Sequence, residues 1–269
     1  MYLATPDIRG EITNTLHIKS SLDGTLQPSI FFHPGTDTPV PLVVGFHTWS
    51  YDRSNQLDTY LPLCRRLGWA LLLPEFRGPN LASNPHRHDA CGSPKAVRDV
   101  LDAVNEVCRT FPIDRANIFL LGCSGGGHAA LLTAEEAPEM FRAVDAWCPV
   151  SDLAAWHVYL TETGQHYVHD MESCLGGAPY AVPDEYVRRS PSEHLANLTN
   201  LAVSIHHGRH DDVVPYAHSL KFVRKLEETG AENVYFEVFD GEHEQFPSHS
   251  FEWFARLANW DDSAVRITG

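Results

Sequence analysis

The strongest chemical signal in the chain is a serine set among glycines where an apolar run meets a helical pattern: Asn117-Ile118-Phe119-Leu120-Leu121-Gly122-Cys123-Ser124-Gly125-Gly126-Gly127-His128-Ala129-Ala130-Leu131-Leu132. The G-x-S-x-G spacing of Gly122, Ser124 and Gly126 predicts a sharp strand-to-helix turn, because only residues without a Cβ can crowd around a serine held there. Such a turn exposes the hydroxyl at the carboxyl end of the strand. It also aims the free N–H groups of the following helix at the same spot, where they stabilise charge on an attacked carbonyl oxygen. A glycine-rich turn that cradles phosphate is the alternative, and no lysine follows these glycines to support it. A serine hydroxyl is a poor nucleophile and needs a histidine to take its proton and an acid to orient that histidine. His207-Gly208-Arg209-His210-Asp211-Asp212 follows one β-rich run and Asp240-Gly241-Glu242-His243 follows the next. These spacings put Asp211 and His243 on loops past successive strand ends, with Asp212 beside Asp211 as an open alternative for the acid.

Positioning such a trio calls for alternating strands and helices. Ile12 to Ile18 and Leu26 to Phe32 flank Asp23-Gly24 and read as an antiparallel hairpin. Leu42-Val43-Val44-Gly45-Phe46 and Trp69-Ala70-Leu71-Leu72-Leu73 have the unbroken apolarity of strands buried on both faces. Between them Leu57, Leu61 and Cys64 recur at helical spacing before Gly68, and Val97, Val100, Leu101, Val104 and Cys108 mark a helix from about Pro94 to Thr110. The rhythm continues through Ala143 to Cys148, Leu201 to Ile205 and Val234 to Val238, with helices near Tyr216 to Thr229 and around Phe251 to Leu257. It fails from Ser151 to Asn200, which reads as an insertion covering the site. Alternation of this kind predicts an α/β chain with a mostly parallel sheet and helices on both faces.

Composition narrows the function classes. The chain has 269 residues, enough for one large α/β domain, and 35 acidic against 20 basic residues give a formal charge of −15. That charge argues against nucleic acid or an anionic membrane as partner. Six cysteines without paired or C-x-x-C spacing suit reduced, packed thiols. The opening Met1 to Asp7 lacks the regions of a signal peptide and no apolar run is long enough to span a bilayer, so a cytoplasmic enzyme is expected. Sixteen histidines raise a metal reading, with His86, His88, Asp89 and Cys91 the best local cluster. Its spacing lacks the usual metallohydrolase pattern, so no metal is expected and Arg77 with Asp89 is read as a brace for the site.

In combination, Ile113-Asp114-Arg115-Ala116-Asn117-Ile118, the elbow, Pro149-Val150-Ser151-Asp152, Ser190-Pro191, His207-Gly208 with Val214-Pro215, and Gly241 with His243 carry a resemblance over nearly the whole chain. It resembles the catalytic domain of the prolyl oligopeptidase-like branch of the α/β-hydrolases, a branch similar to dienelactone hydrolases and acyl esterases. The resemblance implies a single α/β-hydrolase domain over residues 1–269 with 151–200 as a cap-like insertion. It also implies Ser124 as nucleophile, Asp211 as acid, His243 as base, Asp212 as a non-catalytic neighbour, and no cofactor.

Three departures bear on the site. Relatives commonly carry His-Gly-Gly where this chain has His47-Thr48-Trp49, so the second oxyanion donor is open, and the backbone N–H of Trp49 beside that of Gly125 is the candidate. Gly125 stands where an aromatic usually follows the serine. No β-propeller accompanies the motifs, which shifts the expectation to an esterase acting on small-molecule esters, with a prolyl oligopeptidase-family serine peptidase of aminopeptidase type as the alternative. A metallohydrolase and a non-catalytic binding protein are the readings from other classes. Trp156 and Tyr159, in the insertion, are the expected substrate-binding residues; oligomeric state is not legible.

Overall fold

The computed structural model of the protein describes residues 3–6 and 12–258; Met1, Tyr2 and Asp7 of the opening segment, residues 8–11 and everything after residue 258 lie outside the described residues. Among the described residues nine strands form one sheet: β1 (Leu3–Pro6), β2 (Ile12–Lys19), β3 (Leu26–Phe32), β4 (Val40–Phe46), β5 (Ala70–Pro74), β6 (Ile113–Cys123), β7 (Ala143–Trp147), β8 (Ala202–Gly208) and β9 (Val234–Phe239). Their order across the sheet is β1-β2-β3-β5-β4-β6-β7-β8-β9. The pairs from β5 through β4, β6, β7 and β8 to β9 are parallel, and β1, β2 and β3 add antiparallel pairs at one side. The hairpin read around Asp23-Gly24 is the β2–β3 pair, with Gly24 at φ 74°.

Parallel strands need crossovers, and helices supply them on both faces. On one face α2 (Pro94–Thr110), α3 (Gly125–Glu136) and α7 (Tyr216–Glu228) pack Val104, Leu131 and Phe222 against Leu42, Val44 and Leu120. On the other, α1 (Leu57–Leu67) and α8 (Pro247–Leu257) pack Leu61 and Phe254 against Val43, Phe119 and Leu121. Successive residues of β4 and β6 therefore feed opposite cores, as the two-residue period of a strand requires, and this accounts for their unbroken apolarity. Gly68, at φ 68°, ends α1 in a left-handed cap.

After β7 the segment that broke the alternation folds as α4 (Leu153–Thr163), α5 (Tyr167–Leu175) and α6 (Pro183–Arg188). These helices close a third apolar cluster in which Leu153, Trp156, Leu160 and Met171 meet Trp49 and Val214 at the carboxyl ends of β4 and β8. These helices thus sit at the end of the sheet where the elbow serine stands. All six cysteines are free thiols, five of them buried.

Candidate active site

Ser124 lies between β6 and α3 at φ 58° and ψ −124°, a conformation that costs a non-glycine residue about 1–3 kcal/mol. Its surroundings over-determine that turn. The Ser124 N–H donates to Trp147 O at 2.8 Å, the His128 N–H donates to Ser124 O at 3.0 Å, and a Cβ at Gly122 would fall 2.2 Å from Gly126 O. Although Ser124 occupies the cap position of α3, its side chain makes no capping bond, so the hydroxyl is left for the cavity it lines.

His243 follows β9 and lines the same cavity of about 310 Å³. Its Nδ1 lies 2.7 Å from Asp211 Oδ2. The Asp211 carboxylate is buried, and Oδ1 accepts the N–H groups of Val213 at 2.9 Å and Val214 at 2.8 Å. His207 Nε2 lies 2.7 Å from Val214 O and 3.0 Å from Asp211 Oδ2, and its Nδ1 is 2.7 Å from Ser219 Oγ. A carbonyl oxygen only accepts, so Nε2 carries the proton and shares it between both acceptors. Burial raises the Asp211 pKa, but His207, His243 and the Val214 N–H outweigh it and hold the carboxyl below the usual carboxylate range. Asp211 is therefore an anion fixed in one orientation. Asp212 is exposed, and its carbonyl oxygen accepts from Tyr159 Oη and Gln165 Nε2, each at 2.7 Å.

The two residues read as oxyanion donors touch. A Cβ on Gly125 would lie 2.8 Å from both the N and the Cα of Trp49, so only glycine lets the turn after β4 approach the elbow this closely. Among the described residues no acceptor is paired with the Trp49 N–H. His47 holds this turn: its ring stacks on Phe76 at 3.9 Å, with the carbonyl oxygens of Thr48 and Glu75 at 3.0 and 3.1 Å from its nitrogens.

Trp156 and Tyr159 do not line the Ser124 cavity. Trp156 is buried edge-on behind Trp49, ring centroids 4.9 Å apart, with its Nε1–H donating to Val213 O at 2.8 Å. Tyr159 spends its hydroxyl on the loop that carries Asp211. Tyr51 and Tyr167 stand at the cavity wall instead, beside Glu244 and Gln245. Sequence reasoning passed over Gln245 and Cys148. Gln245 ties the His243 loop to α1, accepting from Tyr60 Oη at 2.8 Å and donating to Gln56 Oε1 at 2.9 Å. Cys148 sits just past β7 at φ 45°, with its Sγ near both Asp211 and His243. Its signal was positional, since every residue one step past a parallel strand shares the end of the sheet where Ser124 emerges.

His86, His88, Asp89 and Cys91 do not assemble a ligand set. Asp89 instead faces Lys95 at 3.1 Å and Arg77 at 3.7 Å, and Arg77 also pairs with Asp99 at 2.5 Å and Asp23 at 2.8 Å. Among the described residues, the one group of three potential ligands is Cys148, Asp211 and His243, with ligand atoms within 4.8 Å of one another.

Residues 55–267 match the model of the prolyl oligopeptidase family. The chain is 25% identical over 236 residues to a probable dipeptidyl-aminopeptidase B of Talaromyces marneffei, covering 85% of this chain and 25% of that protein. It is 26% identical over 195 residues to the uncharacterized peptidase YtmA of Bacillus subtilis, covering 72% of each. The chain thus spans a quarter of the first relative and most of the second. Among solved structures, that of a puromycin hydrolase superposes with a TM-score of 0.76 at 18% identity, over 93% of this chain and 40% of that one. The likeness is one of fold, that of the α/β-hydrolases.

Proposed function

Because the chain belongs to the prolyl oligopeptidase family, we propose that it is a serine peptidase that cleaves peptide or aminoacyl amide bonds through an acyl-Ser124 intermediate. The carboxylesterase expectation gives way. It rested on the absence of a β-propeller beside these motifs, whereas the family and the named relatives are peptidases. The observation that carries the reading is the 2.7 Å pair of Asp211 and His243 opening onto the cavity that Ser124 lines.

In this reading His243 Nε2 takes the Ser124 proton as Oγ attacks the carbonyl, while Nδ1–H donates to Asp211. The imidazolium so formed is stabilised by Asp211, which His207 and the backbone N–H groups of Val213 and Val214 keep ionised and aligned. An amide nitrogen leaves poorly unless protonated, so His243 returns the proton to it and then activates water to release the acyl group. The N–H groups of Trp49 and Gly125 hold the oxyanion, and Tyr51 and Tyr167 flank the acyl side chain. The fold needs no cofactor for these steps.

A fluorophosphonate probe should label the native protein and fail on Ser124→Ala. Aminoacyl and dipeptidyl nitroanilides should be turned over with kcat/KM within about 10-fold of the matched nitrophenyl esters, a difference of about 1.4 kcal/mol. Esters favoured by ~10²-fold or more would restore the esterase reading, and labelling that survives Ser124→Ala would remove the nucleophile assignment.

A further inference from the structure

Cys148 is a thiol that the proposed reaction does not use, held beside two groups that it does. Its left-handed backbone, at φ 45°, is pinned by its N–H donating to His206 O at 2.7 Å, and its Sγ–H points to Glu244 O at 3.4 Å. A thiol, a carboxylate and an imidazole with ligand atoms inside 4.8 Å are the donor types that zinc takes in tetrahedral sites. We propose that Cys148, Asp211 and His243 form a binding site for zinc or another thiophilic divalent cation, and that its occupation switches the active site off.

Charge, geometry and access each support the site. A dication with one thiolate and one carboxylate is neutral, which suits a pocket where Cys148 and the Asp211 side chain are fully buried. Zinc bonds of ~2.0–2.3 Å put tetrahedral ligands about 3.5 Å apart, so the three groups close on the ion with side-chain shifts of about 1 Å. Asp211 is already oriented by Val213, Val214 and His207, the kind of outer support that metal-bound carboxylates need. His243 opens on a cleft of about 720 Å³ walled by Asp212, Asp240, Glu242 and Glu244, which gives an ion a way in. That acidic mouth concentrates cations.

Inhibition follows from the tautomer. Nδ1 of His243 faces Asp211, so a metal there takes the Nδ1 lone pair, the ring proton moves to Nε2, and Nε2 can no longer accept the Ser124 proton. The thiol proton goes to solvent, one proton for each ion bound. The loss of turnover rests on the peptidase reading above; the binding does not.

The test titrates zinc and cadmium into metal-free full-length protein. Cadmium should raise the ultraviolet thiolate-to-metal band in wild type and in Ser124→Ala, and not in Cys148→Ala or Cys148→Ser. Zinc should abolish wild-type turnover. Cys148→Ala should turn over like wild type without zinc and need at least ~10-fold more zinc for inhibition. The site is overturned if wild type shows no cadmium band, or if Cys148→Ala is inhibited at the same zinc concentration. A band in Ser124→Ala from a protein that cleaves no peptide would keep the metal site and sink only the peptidase reading.

Discussion

Asp211 and Asp212 are neighbours with the same side chain, and what separates them is which carboxylate the loop turns inward. Asp211 meets His243, His207 and two backbone N–H groups, while Asp212 faces solvent. Asp211→Asn should therefore lower kcat by about 10⁴-fold, by favouring the wrong His243 tautomer, and Asp212→Asn should leave it near wild type. Steady-state kinetics on both variants decides this. The same residue shapes acid stability. A carboxyl held below its unfolded value stabilises the fold above about pH 4 and loses that contribution as pH falls through its folded value, so Asp211→Asn should flatten the acid limb of a plot of Tm against pH. Gly125 is the second decisive residue. Any side chain there meets Trp49 N at 2.8 Å, so Gly125→Ala should push the turn after β4 away and cost about 10²–10³ in kcat, with KM little changed. Fluorophosphonate labelling should slow in parallel; an unchanged kcat would remove Trp49 from the oxyanion role.

Two ionic clusters hold elements together around the site. Arg77 binds the β2–β3 turn to α2 through Asp23 and Asp99, and Asp99 is itself 3% exposed. Arg77→Ala leaves that carboxylate buried without its cation, and urea unfolding should show a loss of about 3–5 kcal/mol. Across the sheet, His206 of β8 lies 3.3 Å from buried Asp145 of β7 and 2.8 Å from Glu237 of β9, stacked on Trp147 at 4.0 Å. Burial lowers the His206 pKa, but the two carboxylates outweigh it and raise it above the ordinary histidine value. A raised folded pKa stabilises the protein fully below about pH 6.5 and stops doing so as pH climbs through the folded value. Wild-type Tm should therefore fall more steeply above pH 6.5 than that of His206→Asn. Equal slopes would show that the β7–β8–β9 cluster is not charged.

At the scale of the molecule, acidity is concentrated beside His243: within a net charge of −15, Asp212, Asp240, Glu242 and Glu244 ring the cleft there. Substrates with cationic side chains or free amino termini should have the higher kcat/KM at low salt, and the advantage should shrink as ionic strength rises above about 0.1 M. Salt-independent selectivity would place recognition in the Tyr51 and Tyr167 wall alone. By itself the sequence determined the alternation of strands and helices, because burial on two faces writes itself as continuous apolar runs. It also determined the elbow, because a strained turn admits few residues, and the chain order of Ser124, Asp211 and His243, because each stands one loop past a strand. Only the tertiary structure decided how the segment from Ser151 to Asn200 folds. Its helices bury toward a small local core and not toward the sheet, so its apolar residues include Trp156, which packs behind Trp49 and leaves the cavity wall to Tyr51 and Tyr167. Cys148 belongs to the same class. No local pattern marks it, because its neighbours Asp211 and His243 come from loops after two other strands, and only the lateral pairing of β7, β8 and β9 brings the three together.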